Sequence, residues 1–128
     1  MEGKNLTYLD FAADEAMYLT DAYSKGLRYN AMVSQAQRVC ECYLKHIITR
    51  SLLNNNEVMM SHNLRKLYEY VESLGINLNE IRTEIMLLNN FYTHTRYPGR
   101  DAYLANDKDV TSAVEALNTI TKFLSRYF

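Results

Sequence analysis

Apolar residues recur at helical spacing over most of the chain. The clearest run is Tyr29, Met32, Val33, Ala36, Cys40, Tyr43, Leu44, Ile47 and Ile48, which follows the i, i+3, i+4, i+7 rule of one helical face. Ahead of it, Leu6 to Ser24 mixes Ala, Met, Leu and Tyr with acids near its start, and Lys25-Gly26 supplies a stop, since glycine accepts the left-handed conformation that follows a helix. Leu52 to Met60, with Asn54-Asn55-Asn56, shows no helical face and reads as a connection. Ser61 then caps a short helix bearing Leu64, Leu67, Tyr68 and Val71, which Gly75 ends. Asn77 with Glu80 three residues on has the form of a capping box, and behind it Ile81, Ile85, Leu88 and Tyr92 keep one face apolar towards Thr95. Pro98-Gly99 interrupts the pattern, and after Asn106-Asp107 a last helix places Val110, Ala113, Leu117, Ile120, Leu124 and Tyr127 in register. No internal repeat and no sustained heptad run appear, so the spacing predicts an all-α fold, an antiparallel up-and-down bundle of about five helices.

Composition narrows this further. With 128 residues, 48% of them hydrophobic, the chain suits one hydrophobic core, and residues 1–128 are expected to form a single domain. Four Gly and one Pro are too few for the frequent turns of an all-β domain. Fourteen basic against fifteen acidic residues give a net charge of −1, so no global field holds a polyanion and any nucleic-acid contact must be local. Cys40 and Cys42, two positions apart on a helix, point to different faces, which disfavours a mutual disulfide and suggests a reducing compartment. The start MEGKNLTYLD lacks the form of a signal peptide, and no stretch approaches the length of a membrane span, so a cytoplasmic protein without membrane contact is expected.

Polar residues that a bundle does not require are the places to look for chemistry. The segment Thr95 to Tyr103 gathers Arg96, Arg100, Asp101, Tyr97 and Tyr103 around the Pro98-Gly99 bend, where guanidinium groups can meet phosphate in bidentate fashion. The bland alternative is that Arg96 satisfies carbonyls at a helix C-terminus while the tyrosine packs. His62, beside a cap, reads as a capping or surface residue rather than a base. Glu41 and Lys45 form an i, i+4 pair that supports a helix by a few tenths of a kcal/mol, and read as structural. His46, His62, His94 and the two cysteines show no compact ligand spacing. Neither a dinucleotide-binding glycine turn nor a phosphate loop is present, and no serine sits on a strained elbow. No metal and no cofactor are expected.

Three segments together resemble the HEPN family of small helical domains: Arg38 to Lys45 with Glu41, Ser61-His62-Asn63-Leu64 through Leu67, and Arg96-Tyr97-Pro98. Against that family's pattern, Arg38 stands where a glutamine is usual and Asn63 replaces an aspartate. In ribonuclease members an arginine is followed, after four to six residues, by a histidine. Here Tyr103 stands after six intervening residues, and no histidine follows Arg96. The resemblance implies, for such ribonucleases, metal-independent RNA cleavage at a dimer interface. A phenol with a pKa near 10 is ionised only about one part in a thousand at neutral pH, which makes Tyr103 a poor base. The resemblance also implies a minimal nucleotidyltransferase as partner or toxin–antitoxin mate, nucleotide binding without cleavage, and adenylyl transfer to Tyr103 or Tyr97. The reading is a dimerising HEPN-like module, non-catalytic or weakly catalytic, that engages a nucleotide, RNA or a nucleotidyltransferase through Arg96, Tyr97, Arg100 and Tyr103. The alternatives are a metal-independent ribonuclease toxin, with Arg96 and Tyr103 as candidate catalytic residues, and a purely structural helical interaction protein.

Overall fold

The computed structural model describes residues 5–51 and 55–128. A capping box opens the first helix: the Thr7 hydroxyl accepts the Asp10 amide and the Asp10 carboxylate accepts the Thr7 amide. Helix α1 runs Tyr8–Ser24, and Gly26, at φ +84°, turns the chain out of it. Helix α2 follows at Asn30–Thr49.

Within the stretch read as a connection lies a four-residue helix, α3, Asn56–Met59, capped by the Asn55 side chain on the Glu57 and Val58 amides. One turn is too short to show a periodic face. Asn54 and the rest of 52–54 lie outside the described residues. Helix α4 is Leu64–Ser73, and its cap is Asn63 rather than Ser61. The Asn63 side chain accepts the Arg65 and Lys66 amides, while the Ser61 hydroxyl accepts the Asn63 amide one step upstream. The capping box expected at Asn77 and Glu80 is replaced by a 3-10 turn over Asn79–Ile81, with the Asn77 side chain accepting the Asn79 amide. Helix α5, Arg82–Thr95, continues directly from that turn. Asn106 and Asp109 form a second capping box, which opens α6, Asp107–Leu124.

No strand occurs among the described residues, and the architecture is an all-α bundle. Helix α2 runs antiparallel to α1 and α5, and α4 antiparallel to α5, whereas α6 runs parallel to α2, with Asn30 bonded to Ala105 at their starts and Tyr43 to Thr121 near their ends. The Tyr8 ring at the start of α1 faces the Lys45 ammonium near the end of α2. Asn30 at the start of α2 meets Thr95 at the end of α5. The Leu64 amide of α4 donates to Asn89 of α5, while Arg82 lies over the Tyr68 ring. Helix α2 is the axle, packed against α1, α4, α5 and α6. Because it is covered on all sides, 14 of its 20 residues are buried, including Gln37, Glu41, Lys45 and His46. Those polar groups have to find partners inside the protein.

Candidate functional site

Arg96 is the first residue past α5, and the chain around it is held from outside. The Asn30 side-chain amide donates to the Thr95 carbonyl at 3.0 Å, and its carbonyl oxygen accepts the Ala105 amide at 2.7 Å. The Tyr103 amide donates to the His94 carbonyl at 3.0 Å, so the segment closes back on its own helix. Asn30 therefore pins both ends of the corner to the start of α2. It drew no notice as sequence, because an asparagine at a helix start has the same appearance whether it caps locally or reaches 65 and 75 residues along the chain.

The Arg96 guanidinium lies 5.0 Å from the Tyr92 ring centre and 5.7 Å from that of Tyr97, and the side chain is exposed. Among the described residues it makes no hydrogen bond and no ion pair, so it does not satisfy the carbonyls at the end of α5. Aromatic faces orient it while leaving all five N–H donors available. Arg96 borders three cavities, of about 310, 380 and 360 Å³.

The 380 Å³ groove brings Tyr97 and Tyr103 alongside Arg96. The Tyr103 ring stacks on His94 at 6.5 Å, and burial, with the negative charge of Asp109, pushes its phenol above the ordinary tyrosine value. Arg100 stands exposed past the bend and borders none of the three cavities.

The 310 Å³ cavity joins Arg96 to residues that the sequence reading set aside. Glu41 and Lys45 are not a surface pair: their side chains are 10% and 5% exposed and meet at 2.8 Å. The Glu41 carboxylate also accepts from Gln37 Nε2 at 3.3 Å and lies 3.1–3.2 Å from His62 Nδ1. His62 neither caps α4 nor stands free. Facing a carboxylate, Nδ1 carries the hydrogen, and Nε2 on the far side of a ring that is 65% exposed is left open. Gln37 Nε2 also donates to the His62 carbonyl at 3.0 Å. Both neighbours of that amide are acceptors, which fixes its orientation and leaves Oε1 buried without a partner among the described residues. Gln37, one residue before Arg38, is thus the glutamine on the Glu41 face. Arg38 itself pairs with Glu15 of α1 at 3.2 Å.

The two halves of the site meet at Tyr92, whose ring lies 6.5 Å from His62 and 6.4 Å, edge-on, from Tyr97. Tyr8 and Phe11 of α1 close the cavity on its outer side. Cys42 also touches it. Burial and the charge of Glu41 push that thiol up to about 11, and burial raises Cys40 as well. No group of three His, Cys, Asp or Glu side chains suited to a metal occurs among the described residues. No helix there is long and apolar enough to cross a membrane.

A family model described as HEPN domain matches residues 8–127. No curated protein and no solved structure matches the chain.

Proposed function

Because the chain belongs to the HEPN domain family, a family of nucleotide- and RNA-related helical modules, we propose that it binds a phosphate-bearing ligand, a nucleotide or RNA, at the Arg96 corner and does so without efficient catalysis. The observation behind this reading is the state of Arg96: exposed, steered by two tyrosine rings, bordering three cavities, and without an acceptor of its own. A guanidinium in that state suits bidentate contact with phosphate, and Tyr97 and Tyr103 offer ring faces on which a base can stack. The raised phenol of Tyr103 removes it further from the role of base that the ribonuclease alternative asks of it. Arg100 serves as an outer cation for the same ligand. A nucleotidyltransferase partner fits the same corner, with Tyr103 or the more exposed Tyr97 as acceptor of an adenylyl group.

Substitution of Arg96 separates binding from folding. Arg96→Ala should weaken binding of AMP or RNA by about 1.5–3 kcal/mol, the scale of a charged hydrogen bond, with thermal unfolding unchanged. Arg96→Lys should lose most of the same affinity, because it keeps the charge without the planar fork. Titration calorimetry on the folded variants reads both, and equal binding by all three proteins defeats the assignment. Incubation with total RNA and ATP, with and without a neighbouring nucleotidyltransferase, separates binding from cleavage and from modification.

A further inference from the structure

We propose that His62 is a second phosphate-binding group of this site, positioned by Glu41, and that the ligand it selects is a terminal phosphate monoester. The proposal rests on the Arg96 reading above and adds to it a residue from a different part of the chain. His62 and Arg96 border the same 310 Å³ cavity, and each lies near the ring of Tyr92. Glu41 holds Nδ1 of the imidazole, so Nε2 is the atom left for a ligand. When the ring is neutral, Nε2 is an acceptor and offers a phosphate oxygen nothing. When the ring is protonated, Nε2–H becomes a charge-assisted donor.

The charged surroundings are few. On α2, Lys45 is already paired with Glu41, and Arg38 is held by Glu15 of α1. From α5 and its end come only the Tyr92 phenol and Arg96. Arg96 is thus the one unpaired cation among these groups, and His62 adds a second only when it carries a proton. A monoester phosphate in the cavity that both residues border, with about −1.5 to −2 charges and three free oxygens, has an oxygen for each donor. An internal diester has one charge and two free oxygens, and gains less from the second donor.

Binding of AMP to wild type and to His62→Gln, measured by calorimetry from about pH 8 to about pH 5.5, tests this, since histidine changes charge across that range. The ratio of the two dissociation constants removes the part of the ligand's own titration that both proteins share. It should be near one at the upper limit and rise to about tenfold at the lower, the scale of a charged hydrogen bond. His62 is mostly exposed, so the variant should fold. In wild type, AMP should raise the titration midpoint of the His62 ring seen by NMR, as reciprocity of linked binding demands. Adenosine 3′,5′-cyclic phosphate, a diester, should show a flatter ratio than AMP.

A ratio that stays flat for AMP while Arg96→Ala weakens binding overturns the role of His62 and leaves the Arg96 site standing. Equal ratios for the monoester and the diester overturn the choice of ligand. Full AMP affinity in Arg96→Ala, or no AMP binding by wild type, defeats the site and His62 with it.

Discussion

Glu41 holds Lys45 and Gln37 in a place where water cannot replace them, and reaches the exposed His62 ring at its edge. Removing one member of such a group is more costly than removing the charge pair as a whole. Lys45→Met should lower unfolding stability in urea by about 3–5 kcal/mol, whereas Glu41→Leu combined with Lys45→Met should recover much of that loss, because no lone charge then stays buried. A double variant no more stable than the single one would contradict this account. An i, i+4 Glu–Lys pair has one sequence signature whether it faces water or the core, so its importance was illegible until α1 and the His62 segment were seen to cover it. His46 is a related case. It is buried against the Phe128 ring with both ring nitrogens unpartnered. Burial pushes its pKa below the ordinary 6.5, the charge of Arg50 acts in the same sense, and Asp10 and the nearby Phe128 backbone oppose the shift without closing a hydrogen bond. A base whose folded pKa is depressed contributes stability that is complete above its unfolded pKa and is lost as pH falls through it. The unfolding temperature should therefore drop between about pH 7 and about pH 5, and His46→Leu should flatten that part of the profile. An unchanged acid slope in His46→Leu would assign the sensitivity to another group.

At the level of elements, the five longer helices were legible because each buries a stripe spaced at the helical period, as Ile85 and Leu88 do in α5, following Ile81 of the 3-10 turn. What escaped were single-turn features: α3, the 3-10 turn before α5, and the choice of Asn63 over Ser61 as a cap. One turn has too few residues to carry a period, and Ser and Asn are equally acceptable caps, so the choice rests on which backbone amides the chain path presents. The Arg96 corner was legible as a bend through Pro98-Gly99, but the device that fixes it was not. Asn30 joins α2 to the segments on either side of that bend. Asn30→Ala should cost about 1 kcal/mol, the scale of a hydrogen bond lost between partly buried groups. It should also speed exchange of the Ala105 amide selectively, which hydrogen-exchange NMR would register. Protection at Ala105 equal to wild type would show that the corner keeps its shape by other means.

For the molecule as a whole, α1 presents Phe11, Met17 and Tyr18 to solvent at 53%, 74% and 66% exposure, beside the cavity that Phe11 helps to close. Such residues on one helix suit a second copy of the chain, and the protein should sediment as a homodimer at micromolar concentration. Met17→Glu combined with Tyr18→Glu should yield a folded monomer. A wild-type monomer under the same conditions would remove the dimer from the account. The long reach of Asn30 has a separate consequence for how the protein comes into being. A ribosome releases α2 well before it releases residue 105, and until then Asn30 lacks at least one of its two native partners. No nascent chain lacking that later stretch contains the closed Arg96 corner, so the ligand site proposed above would form only once residue 105 has emerged.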